Sequence, residues 1–272
     1  MNDLYLSDIY IYPIKSLGGI RMQTAEVEAR GLRYDRRWML VDEKGDFLTQ
    51  RQHAQMALLQ VSLQQEGLKV HHKQGNLAPL HIPFAAAGVP RQELQVTVWD
   101  DTVPAEEVDP EISRWFTKAL GMPARLVQMP PQSRRLVDTA YAAHGEIVSF
   151  ADGYPYLIIG QAALDDLNSR LDQPVPMDQF RPTFVFRGGE PFAEDSWSDF
   201  TIGSQRFRAV KPCARCVVTT INQATAEKSP EPLRTLATYR QFRNKIMFGQ
   251  NVLPGSNGTV QVGDKLQVAS HK

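Results

Sequence analysis

Through the first hundred residues apolar and polar positions alternate with the two-residue period of half-buried strands. Leu4, Leu6 and the run IYIY at 9 to 12 describe a partly buried strand that ends at Pro13. Residues 37 to 51, RWMLVDEKGDFLTQR, predict a hairpin turning at Lys44-Gly45-Asp46. LLQVSLQQEGLKVHH places two alternating runs around Glu66-Gly67, and LQVTVWDD at 94 to 101 is a further strand. Short strands separated by turn residues predict a barrel or a sandwich.

The period then changes. Asp109 can cap a helix whose first position is Pro110 and whose stop is Gly121, with Ile112, Trp115, Phe116, Ala119 and Leu120 as its apolar stripe. PPQSRR at 130 to 135 reads as a loop, and a domain boundary is expected near residue 125, dividing the chain into 1–125 and 126–272. Beyond it elements mix. QAALDDLNSRL (161–171) and EPLRTLATYRQF (231–242) carry helical stripes, FVFRG and FTIGSQRFRAV read as strands, and TVQVGDKLQV closes the chain as a strand pair. The expected class is mainly β with some α, an α+β protein. No internal repeat or low-complexity tract is present.

Composition narrows the partners. Thirty Lys and Arg balance thirty Asp and Glu, so nothing in the overall charge calls for a nucleic acid polymer or an acidic membrane. Two cysteines cannot build a disulfide framework. The opening MNDLYLSDIYIYPIKS carries Asp3 and Asp8 and no apolar signal core, and no apolar run approaches the roughly 20 residues of a membrane span. These features predict a soluble protein of a reducing compartment, the cytoplasm.

Both cysteines fall in one short stretch, KPCARCVVTT at 211 to 220. A zinc site wants about four ligands, and the six histidines lack ligand spacing to Cys213 and Cys216; His71 and His72, adjacent on a strand pattern, point to opposite faces. A thioredoxin-like redox pair wants a helix after the motif, whereas VVTTI is strand-like. The two can also be small buried hydrophobes. A last reading uses one thiolate as a soft ligand for a metal that arrives inside a cofactor, with Lys211 and Arg215 favouring the thiolate. Such cofactors are phosphorylated, so this reading requires anion-binding residues elsewhere. Lys15 and Ser16 in PIKS beside Gly18-Gly19, Arg36 and Arg37 in YDRRW, and Arg181 in FRPTF are candidates.

Nine segments carry a family resemblance, in order along most of the chain: YPIKS (12–16), GLRYDRRWMLVD (31–42), TQRQHAQM (49–56), FADGYPYLI (150–158), FRPTFVF (180–186), EDSWSDFTIG (194–203), KPCARCVVTT (211–220), EPLRTLATYR (231–240) and FGQN (248–251). In these the chain resembles the MOSC-domain proteins, specifically the branch of the mitochondrial amidoxime-reducing component and its bacterial relatives.

The resemblance implies an N-terminal β-rich MOSC-associated domain followed by a MOSC β-barrel. It also implies a molybdenum cofactor, a pterin dithiolene with Mo. Cys216 carries the family's protein-sulfur ligand position, and Lys15, Ser16, Arg36, Arg181, Arg215 and Asn251 its cofactor contacts. Asp152 and Gly153 are implied to lie at the pocket, and Ala214 to contribute backbone alone. The activity implied is reduction of small N-hydroxylated compounds, such as hydroxylamino bases and amidoximes; a non-catalytic cofactor carrier or sulfur-transfer protein is the alternative, its pyridoxal phosphate domain a separate protein. Many relatives have Asn where this chain has Thr183. Two cysteines cannot hold the [2Fe-2S] cluster some bacterial relatives carry, so electrons are expected from a separate ferredoxin- or flavoprotein-type donor. The membrane-anchored segment of eukaryotic members is not expected. For proton donors, Asp195 and His144 stand as candidates beside a structural role for each.

Overall fold

The computed structural model describes residues 3–75, 77–84 and 91–272. Strands dominate it, as the alternating pattern predicts. A large mixed sheet runs in the order Ile20–Met22, Tyr5–Ile11, Phe184–Arg187, Tyr156–Gly160, Lys245–Pro254, Gln205–Ala214, Asp199–Ile202 and Leu266–Val268. Within it Tyr156–Gly160 and Phe184–Arg187 are parallel, and the helix Gln161–Asn168 lies in the connection between them, as a parallel pair requires. Leu6, Ile9, Tyr156, Phe184, Phe186, Phe200 and Phe207 fill its core.

A second lobe is built from the sheet Trp38–Val41, Arg125–Gln128, Asp101–Glu107 and Glu93–Val98, and from the meander Leu59–Gln64, Gly67–His72 and Leu80–Pro83. The helix Pro110–Leu120 packs Ile112, Phe116 and Leu120 into the core of Trp38, Leu40 and Leu126. Its caps follow the sequence: the Asp109 carboxylate accepts from the Glu111 N–H, and Gly121 takes the left-handed conformation at φ 68°. Chain order and lobes interlace. The first strand pairs with Phe184–Arg187, and Thr24–Glu28 pairs with Gly258–Gln261, so the chain's start is woven into the sheet of its second half.

Some segments differ from the pattern-based expectation. The 37–51 hairpin is partial: Trp38–Val41 takes Arg125–Gln128 as its ladder partner, and Phe47 meets Val41 in a single bridge. Beyond it the chain turns at Thr49, whose carbonyl accepts from the N–H groups of Gln52 and His53. The two closing strands join different sheets, Gly258–Gln261 beside Thr24–Glu28 and Leu266–Val268 beside Asp199–Ile202. The last helix is confined to Leu233–Ala237. The β-branched run after Cys216 is a 3-10 turn, Val217–Thr220. There the Thr219 and Thr220 hydroxyls donate to the carbonyls of Cys216 and Val217, at 3.0 and 2.8 Å. Such local bonds compete with a sheet ladder and overrule the strand propensity of the β-branched side chains.

Candidate functional site

One cavity gathers Lys15, Ser16, Arg36, Arg181, Arg215, Cys216 and Asn251, together with Asp152, Gly153 and the Ala214 backbone segment. The fold places them from several directions. Lys15 and Ser16 follow the first strand, and Arg36 sits in the turn before Trp38. Asn251 lies on the long strand Lys245–Pro254, and Cys216 follows its neighbour Gln205–Ala214. Three of the lining residues, Ser16, Arg36 and Arg181, have φ of 66°, 48° and 53°. Non-glycine residues in this left-handed region are held there by their surroundings, and they cluster at functional sites.

Several of the positions have a definite partner. Arg36 forms a two-pronged ion pair with the buried Asp35, at 2.9 and 2.7 Å, while Asp35 also accepts from the Tyr12 N–H at 2.7 Å. The Tyr12 ring meets two cations, with the guanidinium carbons of Arg36 and Arg181 each 4.2 Å from its centroid. Lys15 is buried, and its ammonium donates to the Phe150 carbonyl at 2.8 Å and to Asp152 at 2.6 Å. The loop reading of PIKS changes in one respect. Gly18 donates its N–H to Leu59, and a Cβ on Gly18 or Gly19 would fall 2.5 Å from Gln60 or 2.4 Å from Tyr12, so these glycines serve close packing and not the cavity. Ser16 keeps its Oγ and N–H without a protein partner among the described residues.

Thr183 is buried, and its hydroxyl oxygen accepts from the Leu157 N–H at 3.2 Å. Its single proton is what remains for the cavity. Asp195 and His144 lie outside the cavity lining. Asp195 accepts from Gln250 at 3.0 Å and pairs with Arg240, and the His144 N–H is bonded to Glu146. Arg37 is likewise spent on Glu28 at 2.7 Å.

Arg51 joins the lining without having been singled out in the sequence, and Cys213, weighed there only as the partner of Cys216, lines it too. Arg51 donates to Asp152 at 2.8 Å and stacks on Trp99 at 4.4 Å; its signal was its place in TQRQHAQM. Beside it, the buried Gln50 donates to the Ser16 carbonyl at 2.7 Å, and its amide pairs reciprocally with Gln223 at 3.1 and 3.0 Å. That pair ties the Ser16 loop to the chain just past the cysteine turn. Cys213 accepts from Arg215 Nη1 at 3.0 Å, while Arg215 Nη2 donates to the Phe180 carbonyl at 2.5 Å. Both cysteines are free thiols, partly exposed.

The cavity is strongly basic. Five cations line it against one carboxylate, Asp152. Burial pushes Lys15 down to about 8, with Asp152 opposing, and pushes Arg181 down to about 10. For Asp152, burial favours the neutral acid, but Lys15 and Arg51 outweigh it and hold the carboxyl well below its ordinary range. Among the described residues Arg181 has no ion pair, and Arg215 Nε is buried without an acceptor. Such donors are costly to leave unmet, so the site is built for an anionic guest. No cluster of metal-ligating side chains occurs among the described residues; the soft donors the cavity offers a metal are the sulfurs of Cys213, already in contact with Arg215, and Cys216.

Fold and site together define a two-lobed β protein with a basic, thiol-bearing cavity between its halves. The chain belongs to the MOSC family: residues 3–123 match the MOSC N-terminal beta barrel domain and residues 145–267 the MOSC domain. It is 31% identical to mitochondrial amidoxime-reducing component 1 of Mus musculus over 95% of this chain and 80% of that one. It is 30% identical to the Homo sapiens protein of the same name, over 95% and 81%. It is also 30% identical to a molybdenum cofactor sulfurase of Oryza sativa subsp. japonica, over 98% of this chain but 35% of that much longer protein. Among the described residues no helix is long and apolar enough to cross a membrane.

Proposed function

We propose that this protein is a molybdenum cofactor-dependent oxidoreductase that reduces N-hydroxylated compounds with electrons from a separate redox protein. The observation that carries the reading is a cavity that sets the Cys216 thiol beside Arg181, without an ion pair among the described residues, and Arg215, whose Nε has no acceptor among them, in a chain similar over its length to amidoxime-reducing components. The donor set suits the group. A phosphorylated pterin supplies anionic oxygens, which Arg guanidinium forks match in geometry, and a soft thiolate suits a metal held by sulfur.

In this reading Arg36, Arg181, Arg215, Ser16 and Lys15 hold the pterin and its phosphate, Asn251 offers its amide, and Cys216 is the protein's sulfur ligand. The cofactor, when bound, supplies the two-electron chemistry at the metal. The overall change is that R–NHOH takes up two electrons and two protons, the N–O bond breaks, and R–NH2 and water leave. Asp152 fixes Lys15 and Arg51 on the cavity wall, and the Tyr12 ring fixes Arg36 and Arg181, so binding proceeds on a preorganised surface.

The decisive experiment is reduction of 6-hydroxylaminopurine by Mo-loaded protein with a chemical electron donor, beside Cys216→Ala. Activity lost in the variant supports the reductase with Cys216 as ligand. Absence of activity in wild type with Mo and pterin present removes the reductase reading. It would favour a cofactor carrier or sulfur-transfer protein, which the 30% identity to a molybdenum cofactor sulfurase over 98% of this chain already supports as the second reading.

A further inference from the structure

The strands Gln241–Phe242 and Lys245–Pro254 form a hairpin whose two turn residues, Arg243 and Asn244, both have positive φ, 44° and 61°. That is the tight turn that favours a two-residue hairpin. Its tip is an unusual surface. Phe242 is 59% exposed, more than any other large apolar side chain among the described residues. The Arg243 guanidinium lies 5.2 Å from its ring, and Lys245 is its cross-strand partner. The segment RQFRNK, 240 to 245, has three cations and no acid in a chain whose charges otherwise balance. Arg240 is engaged with Asp195, but Arg243 and Lys245 form no ion pair among the described residues.

The tip's place in the sheet gives this patch its meaning. Ala214 pairs with Met247, and the Arg215 N–H donates to the Ile246 carbonyl at 2.8 Å. Cys216 follows Arg215 at the start of the turn, and Lys245 precedes Ile246 on the hairpin. Phe242 lies one strand further out, paired with Lys245. Val217, next to Cys216, is itself 52% exposed. The hairpin thus carries an exposed ring with a cationic rim, and its long strand is bonded to the residue that precedes Cys216.

We infer that this hairpin tip is the docking surface for the electron donor, and that the donor is an acidic one-electron carrier protein. The inference rests on the reductase reading above. Small apolar contacts rimmed by charge suit the weak, short-lived complexes of electron transfer, and the cationic rim steers an acidic partner. A membrane surface fits less well, because two exposed apolar side chains are too few for a stable anchor. Each encounter oxidises one donor by one electron, so two encounters supply the pair that one N–O bond consumes.

The test uses Mo-loaded full-length protein and an acidic plant-type [2Fe-2S] ferredoxin as probe. Binding is titrated directly, and turnover is followed with reduced ferredoxin and, separately, with reduced methyl viologen. The double substitution Arg243→Glu with Lys245→Glu is expected to weaken ferredoxin binding at least tenfold and to flatten its salt dependence. Phe242→Ser is expected to weaken it several-fold with the salt dependence kept. Viologen-driven turnover stays unchanged in both, and Lys118→Glu on the helix of the other lobe changes nothing. Ferredoxin affinity equal in wild type and the charge-reversed variant overturns the inference. So does the absence of ferredoxin binding, including the case where the same substitutions abolish binding to anionic vesicles instead. Failure of viologen-driven reduction would sink the reductase reading alone, since the binding titration judges the surface by itself.

Discussion

The Asp152 carboxylate lies 2.6 Å from the Lys15 ammonium, joining residues 137 positions apart in the chain. Burial lowers Lys15 to about 8, and Asp152 acts against that fall. Lys15 therefore surrenders its charge as pH rises through about 8, and the cavity loses one of five cations. Binding of sulfate, an anion of fixed charge, to cofactor-free protein should weaken several-fold above pH 8. In Asp152→Asn the fall should begin at lower pH, because the carboxylate that supported the ammonium is gone. In Lys15→Arg it should vanish. Calorimetric titration across the range checks all three.

The contact of Arg36 and Arg181 with the Tyr12 ring gives a second prediction. Cation–π contacts contribute about 0.5–2 kcal/mol each, and here both cations depend on one ring. Tyr12→Leu should weaken sulfate binding by roughly 3–30-fold. Tyr12→Phe should not, because the ring stays. The Tyr12 hydroxyl is buried with no hydrogen-bond partner among the described residues, so its removal relieves an unmet polar group and should raise stability by about 1 kcal/mol. Thermal melts of the two variants beside their titrations separate the ring's role from the hydroxyl's.

The strands, the capped helix and the identity of the cavity residues were legible in the chain for different reasons. Period-two alternation and the Asp109, Pro110 and Gly121 signals are local, so the elements around them could be placed from sequence. The convergence of Lys15 and Arg181 was not local, and only the ordered motifs pointed to it. Arg51 escaped notice because its function depends on Asp152, a hundred residues away and brought near by tertiary packing. The turn after Cys216 was misread because propensity counts β-branched side chains and ignores the hydroxyls of Thr219 and Thr220, which bond back to the preceding carbonyls. Strand pairing between distant parts of the chain, such as Thr24–Glu28 with Gly258–Gln261, leaves no trace in a local pattern.

The two cysteines should separate under mutation. Cys213 is held by Arg215 Nη1 at 3.0 Å, whereas Cys216 begins the turn with Arg51 at hand. Cys216→Ala should retain no active Mo after expression in a cofactor-competent host. Cys213→Ala should retain Mo, with a modest loss as Arg215 is released from its sulfur. Elemental analysis of Mo per protein decides it, and equal Mo content and activity in both variants would reverse the assignment.

Glu194, in the EDSW segment, offers a test of stability that leaves the cavity alone. It is fully buried. Its Oε1 accepts from the Gly160 N–H at 3.1 Å, while Oε2 has no partner among the described residues. Burial raises its pKa from 4.5 to about 7. A carboxyl that holds its proton more tightly when folded stabilises the fold fully below the unfolded value, and that contribution is lost as pH rises through the folded one. Wild type should therefore lose stability between about pH 4.5 and 7 through this group, and stay at the lower level above. Glu194→Gln keeps the acceptor for Gly160 and cannot ionise. Its stability relative to wild type should be close to even at pH 4.5 and better by ~1–3 kcal/mol at pH 8. Denaturant melts at the two pH values measure the difference, and a gain of the same size at both would show that the carboxyl does not titrate in the folded protein.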